Sequence, residues 1–177
     1  FAGAGSHWAA SSPNIVSHCA ADDARADLER RPPRAADTMA KSAKDALDVA
    51  LPAMTEFAKA NKCDAYVVAV FDASSTLVDS RRVEGSPDII LKILRAKALE
   101  VKASGKKNAG ATPMPVFMCC HLPCILCCGM PTTTMGAAPF TYVDDAGAVV
   151  DGVLAVSGGT SAQDGEILDA MLAQIGV

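Results

Sequence analysis

The stretch Asp64–Asp72, which reads DAYVVAVFD, places the strongest restriction on the fold of this chain. Its side chains from Tyr66 to Phe71 are apolar, so a strand formed here has to be covered on both faces. The stretch therefore predicts the central strand of a sheet that lies between helices. Ala73-Ser74-Ser75 predicts a turn, and Thr76–Val83 predicts an antiparallel neighbour.

A helix is predicted before this strand, from Ala36 to the Asn61-Lys62 pair. Its apolar side chains recur at spacings of three and four residues and form one stripe, which consists of Leu47, Leu51, Met54 and Ala58. Asp37 is the expected cap. Pro52 is expected to break or kink the helix, because it lacks an N–H and crowds the preceding turn.

Two more helices and a second hairpin are predicted after Val83. Ser86 as cap and Pro87 at the first position predict a helix that runs to about Ser104. A loop from Ala109 to Gly136 leads to a hairpin, Phe140–Val143 and Ala148–Val156, in which Gly147 supplies the positive φ of the turn. Thr160 or Ser161 caps a last helix, with Asp164 near its amino end.

The first 35 residues differ from the rest of the chain. They contain Gly, Ser and Pro residues and the run Arg30-Arg31-Pro32-Pro33-Arg34, without a helical or strand period. We expect residues 1–35 to be an extended arm held by a partner, and residues 36–177 to be one α/β domain.

The start at Phe1 suggests a processed chain. Its Phe-Ala opening loosely resembles products of plastid import in algae with complex plastids, so the predicted compartment is a plastid rather than a mitochondrion.

Charge and hydropathy exclude two classes of protein. The formal net charge of −4 argues against a nucleic-acid-binding protein, which usually carries a basic face. No apolar run reaches the roughly 18–20 residues of a membrane-spanning helix. The nearest, Pro115–Pro131, is interrupted by His121 and Pro123, so we expect contact with a membrane to be peripheral.

Three stretches resemble the GlcG/HbpS family, whose members include haem-binding and haem-degrading-like domains. Ala69–Pro87 is similar to the family's first hairpin, and Lys97-Ala98 is similar to a Lys-Ala pair of its central helix. Val149–Ile167 (VVDGVLAVSGGTSAQDGEI) is similar to its last strand, Ser-Gly-Gly turn and acidic helix start, and is the most specific of the three. The resemblance covers roughly residues 40–177. It implies a five-stranded antiparallel sheet flanked by helices, and a domain of a kind that often forms oligomers and sometimes binds haem.

The expected loop between Ala109 and Gly136 is rich in cysteine. Cys124-x-x-Cys127 has the spacing of zinc or iron–sulfur ligands, and Cys120 and His121 are the candidates that would complete a metal site. A second ligand pair at the usual distance is missing. Two other interpretations stay open: thiols packed as small apolar groups, and a disulfide or redox role.

Ligands for haem and for anions are scarce in the sequence. No histidine lies on the first helix or on the strands, so haem ligation would fall to Cys, Met or Tyr. Arg81 and Arg82 precede a helix start and are candidates for binding a small anion, although such arginines are more often paired with carboxylates. Ser157-Gly158-Gly159-Thr160 is a second candidate for anion binding, against the alternative of a tight structural turn.

No catalytic group of residues stands out, so the sequence does not predict an enzyme. Our main hypothesis is a non-catalytic accessory or scaffold subunit of a larger complex, such as a photosynthetic or respiratory membrane assembly. The arm, through Arg30, Arg31 and Arg34, and the cysteine-rich loop, through Phe117 and Leu122, would bind other subunits. The alternative is a soluble haem- or tetrapyrrole-binding protein. No cofactor is required by the main hypothesis, and haem and zinc are the two candidates.

Overall fold

The computed structural model describes residues 41–63, 65–110 and 117–177. It divides the chain between Asp37 and Thr38, and every element described below belongs to the second unit. The expected arm, residues 1–35, and the expected cap Asp37 lie outside the described residues.

The described elements alternate helices with antiparallel hairpins. In chain order they are α1 (Ala43–Ala60), β1 (Val67–Asp72), β2 (Leu77–Arg82), α2 (Ile89–Ser104), a π-helical turn (Phe117–His121), α3 (Leu122–Cys128), β3 (Ala137–Val143), β4 (Val149–Ser157) and α4 (Ser161–Ile175).

The four described strands form one antiparallel sheet in the order β2-β1-β4-β3. The two hairpins predicted from the hydrophobic pattern are confirmed. The resemblance implied five strands, and this number is wrong for the described part of the chain, where four are found. Beside β3, Ser42 forms a single parallel bridge with Val143 before the chain enters α1. The backbone there turns into a helix and does not continue as a strand.

The sheet is covered on both faces, as the apolar character of β1 predicted. Tyr66, Val68 and Val70 face the cluster formed with α1 and α4, whereas Val67 and Phe71 face the cluster formed with α2. All five side chains are buried. This alternation is the ordinary geometry of a strand, and it fixes α2 on the face opposite to α1 and α4.

The helix starts differ from the sequence predictions. Ser42 caps α1, because its side chain accepts a hydrogen bond from the Asp45 backbone N–H. Pro52 does not break α1; it lies on the exposed face, where water can hydrate the carbonyl that it leaves without a donor. Ser86 is not the cap of α2, because its buried hydroxyl donates to backbone carbonyl oxygens instead.

The segment expected as a loop, Ala109 to Gly136, contains the π-helical turn and α3. Ile125 is its buried anchor, and Gly129 ends α3 with a positive φ of 63°. No described helix combines the length and the apolar character that crossing a membrane requires. The short α3 packs beside α2 and thereby forms one wall of the site described next.

Candidate functional site

A cleft of about 290 Å³ lies between the amino-terminal half of α2, the π-helical turn and the β4–α4 turn. Its walls are apolar and its floor is polar. The wall side chains are Ile89, Ile90 and Ile93 from α2, Phe117 and Met118 from the π-helical turn, and Leu122 from α3. The polar side chains are Lys97, Thr134, Ser157, Ser161 and Asp164.

A buried ion pair between Lys97 and Asp164 forms part of the cleft floor. Their side chains are 1% and 4% exposed, and Lys97 Nζ lies 2.7 Å from Asp164 Oδ2. The ammonium also donates to the Val156 carbonyl oxygen at 3.0 Å and to Ser157 Oγ at 3.3 Å. Each of its three hydrogens therefore has an acceptor, as a buried cation requires.

The carboxylate of Asp164 is satisfied in the same way. Besides the bond from Lys97, Oδ2 accepts from the Ser157 hydroxyl at 3.0 Å, and Oδ1 accepts from the Gly159 N–H at 3.0 Å. The ion pair thus holds together α2, the end of β4 and the first turn of α4. It also joins two of the stretches that carried the family resemblance, Lys97-Ala98 and Val149–Ile167.

Burial disfavours the charged form of both members of this pair and so shifts the pKa of each. It lowers the pKa of Lys97, although the Asp164 carboxylate acts in the opposite direction. Burial likewise raises the pKa of Asp164, against the attraction of Lys97 and the hydrogen bonds from Gly159 and Ser157. The pair is therefore stable as an ion pair only while both partners and their hydrogen bonds are present.

The two glycines of the Ser157-Gly158-Gly159 turn lie so close to Ala65 and Tyr66, the residues just before β1, that no side chain fits at either glycine. A Cβ atom at Gly158 would lie 2.1 Å from the Ala65 carbonyl oxygen, and one at Gly159 would lie 2.1 Å from the Tyr66 hydroxyl oxygen. The Tyr66 hydroxyl is buried and has no hydrogen-bond partner among the described residues. Burial, together with the Asp164 carboxylate, raises the pKa of Tyr66.

Two amides of this turn already donate to side chains of the chain itself. The Gly159 N–H donates to Asp164, and the Thr160 N–H donates to the Gln163 side chain. Thr160 and Gln163 form a reciprocal capping box at the start of α4, so the structure selects Thr160 from the two predicted caps. This arrangement favours the structural interpretation of the turn over an anion cradle.

The two arginines considered for anion binding are paired with carboxylates. Arg81 bonds to Asp48 and Asp79, both within 2.9 Å. Arg82 bonds to Asp88 at 2.8 Å, beside the start of α2. The sequence identified these residues but not their partners, because Asp48 lies on a different element.

The four residues considered for metal binding are not brought together as one set. Cys120, His121 and Cys124 line a second pocket of about 210 Å³, and Cys127 does not. Within the described residues, no group of three or more His, Cys, Asp or Glu side chains is arranged to hold a metal ion. The interpretation as packed core thiols fails too, since the cysteines of this segment are exposed: Cys119, Cys120, Cys124, Cys127 and Cys128.

The residues considered for partner binding have two outcomes. Phe117 and Leu122 are partly buried and lie in the wall of the cleft. Arg30, Arg31 and Arg34 lie outside the described residues.

The sequence analysis placed Lys97 and Asp164 correctly on their helices but did not predict their contact. The only available signal was the position of Lys97, which continues the helical spacing of the apolar residues Ile90, Ile93 and Leu94 and therefore predicts a buried lysine.

Comparison with known proteins identifies the fold. No protein-family model and no curated protein sequence matches the chain. PduOC, solved as a complex with haem, is 23% identical with a TM-score of 0.51 over 75% of this chain and 94% of that chain. The Ybr137w protein is 11% identical with a TM-score of 0.52, over 77% and 79% of the two chains. HbpS is 20% identical with a TM-score of 0.48, over 75% and 89%. The domain has the GlcG/HbpS-type fold, as the resemblance predicted.

Proposed function

We propose that this domain binds haem or a related tetrapyrrole in the apolar cleft. The observation that carries the proposal is the wall of Ile89, Ile90 and Ile93, which faces Phe117 and Met118 across the cleft. The fold supports it, because PduOC has a similar fold and was crystallised with haem. This was the alternative hypothesis from the sequence, and the fold supports it better than it supports the accessory-subunit hypothesis.

The residues of the cleft fit a flat, apolar macrocycle. Small-molecule pockets usually have volumes of about 300–1,000 Å³, so a cleft of this size would cover only part of a tetrapyrrole. Haem iron also needs an axial ligand, and Met is one of the residue types that supply it. Among the described residues that line the cleft, Met118 is of such a type, and its side chain is 54% exposed.

The cationic groups suited to propionates lie elsewhere on α2. Lys97 already has three acceptors, so its ammonium is not available to a carboxylate ligand. Lys92 and Arg95 line a neighbouring depression of about 300 Å³ between α2 and α3. A bound haem would supply a redox-active iron, while the chain would bind the macrocycle and limit its contact with water.

Titration of the full-length chain with haemin tests this assignment. We expect a stoichiometric Soret band, and we expect Met118→Ala to shift that band and to weaken binding about tenfold or more. Met130→Ala is the matched control, because Met130 is similarly exposed at 51% and lines the second pocket rather than the cleft. Equal spectra for the two variants would exclude Met118 as the ligand.

The accessory-subunit hypothesis stays a prediction, because the arm on which it rests lies outside the described residues. It includes other protein subunits as partners, a peripheral position at a membrane and a plastid compartment. Deleting residues 1–35 should leave the domain folded and abolish association with a complex. Co-purification of the truncated chain with such a complex would contradict the hypothesis.

A further inference from the structure

The π-helical turn places the sulfur atoms of two adjacent cysteines in contact. Cys119 Sγ and Cys120 Sγ lie 3.1 Å apart, and both residues are exposed. The chain contains a second adjacent pair, Cys127 and Cys128, on α3. Among the described contacts no hydrogen bond joins the sulfurs of that pair, so adjacency in sequence alone does not produce the contact.

The separation of 3.1 Å matches one kind of dithiol chemistry better than others. A disulfide needs sulfurs about 2.05 Å apart and usually Cα atoms about 4.4–6.8 Å apart, whereas adjacent Cα atoms are about 3.8 Å apart. A tetrahedral zinc ion with Zn–S bonds of about 2.3 Å holds two sulfurs roughly 3.8 Å apart. A bridging atom that forms two bonds of about 2.3 Å to sulfur, with an angle near 90° between those bonds, holds the two sulfurs roughly 3.3 Å apart.

We propose that Cys119 and Cys120 form a dithiol site for trivalent, pyramidal thiophilic atoms, of which arsenic(III) is the type. The sulfurs already lie close to the separation that such an atom requires, so binding needs little movement of the turn. The hydrogen bond with Cys119 and the charge of Cys119 raise the pKa of Cys120.

The reaction with an organic arsenoxide is a condensation. Two S–H bonds and the As–O bonds of the oxide break, two As–S bonds form, and the two protons leave with the oxygen as one water molecule. Arsenic remains trivalent throughout, so no oxidant or reductant takes part. Neither cysteine lines the apolar cleft, so the dithiol site uses different side chains from the proposed haem site, although both sites share the π-helical turn.

The test uses phenylarsine oxide and the reduced, full-length chain under native conditions. We expect the first equivalent to add one phenylarsenic group per chain, with loss of water, in the intact mass. Cys119→Ala and Cys120→Ala should each weaken this first binding step about a hundredfold or more, because a single thiol loses the advantage of the intramolecular second bond. Peptide mapping should show both cysteines protected from alkylation.

Cys127→Ala and Cys128→Ala are the matched controls, since they remove one member of the other adjacent pair on an exposed surface. They should leave the affinity for the first equivalent unchanged within about twofold. Unchanged binding by Cys119→Ala, or an equal loss in Cys127→Ala, would overturn the assignment. The thermal midpoint of each variant without the reagent separates loss of the site from loss of the fold.

Discussion

At the scale of single residues, the Lys97–Asp164 pair determines how the site is built. Both side chains are buried, and every charged atom has hydrogen-bond partners from β4, the following turn or the other member of the pair. Removing one partner from such a pair leaves an uncompensated charge, which costs far more than removal of the pair as a whole. The pair therefore ties the position of α2 to that of α4.

Asp164→Asn should lower the free energy of unfolding by about 3–5 kcal/mol, because the Lys97 ammonium would remain buried without a counter-charge. The double variant Lys97→Met, Asp164→Asn should be less destabilised than Asp164→Asn alone. Urea unfolding of the three proteins measures both quantities. Lys44→Met is the surface control, because the Lys44–Asp48 pair is exposed, and no measurable change is expected. A double variant that is destabilised as much as Asp164→Asn alone, or more, would show that the two residues do not act as a pair.

Tyr66→Phe should be neutral or should stabilise the protein by up to about 1 kcal/mol at pH 7, because the buried hydroxyl has no described partner. The raised pKa of Tyr66 also predicts a pH dependence. The folded protein keeps the tyrosine proton at pH values where the unfolded chain loses it, so the free energy of unfolding falls as the pH rises above the unfolded-state pKa of about 10. Urea unfolding at pH 8 and pH 10.5 should therefore show a smaller alkaline loss for Tyr66→Phe than for the unmodified chain. A loss above about 1 kcal/mol at pH 7 would show that the hydroxyl is hydrogen-bonded.

At the scale of elements, the β4–α4 turn is the part of the fold that tolerates least change. Gly158 lies against the backbone of Ala65, and Gly159 lies against the ring of Tyr66. The capping box of Thr160 and Gln163 then starts α4 in the direction that carries Asp164 to Lys97. Backbone contact, cap and ion pair therefore depend on one another over eight residues, from Ser157 to Asp164.

Gly158→Ala should destabilise the domain by about 3 kcal/mol or more, because the new Cβ atom would overlap the Ala65 carbonyl oxygen. Gly147→Ala is the control: it has a positive φ of 82° but nothing within 4 Å of the added atom, so only about 1 kcal/mol of backbone strain is expected. Thermal or urea unfolding measures the difference. Equal losses at the two positions would contradict the close approach of the turn to Ala65.

The elements also show which parts of the fold can be predicted from sequence. The strands and α4 were predicted well, because their apolar runs and turn glycines act locally. The π-helical turn and α3 were missed: the predicted loop carries Pro123, and neither piece has a side-chain cap or a regular apolar stripe. The structure begins α1 at Ala43 with Ser42 as its cap, whereas the sequence prediction began the helix at Ala36. Asp and Ser are both acceptable caps, so the local pattern does not choose between them.

At the scale of the whole molecule, the cleft arises from segments that are distant in sequence. Ile93 on α2, Met118 on the π-helical turn and Gly159 after β4 all line the cleft. The local sequence pattern predicted the sheet and its helices, but it carried no information about which distant residues line the cleft together. For the same reason the sequence grouped four cysteine and histidine residues by spacing, whereas in the structure Cys127 does not line the pocket that the other three line.

Tetrapyrrole binding in the apolar cleft is best tested by a haemin titration of two full-length charge variants. Ile93→Glu places a carboxylate in the cleft wall, whereas Val49→Glu places one on the exposed surface of α1, where Val49 is 37% exposed. We predict a stoichiometric Soret band for the unmodified chain and for Val49→Glu, and binding at least about tenfold weaker for Ile93→Glu. The absence of a stoichiometric spectral change in the unmodified chain, or equal affinities for both variants, would contradict tetrapyrrole binding in this cleft.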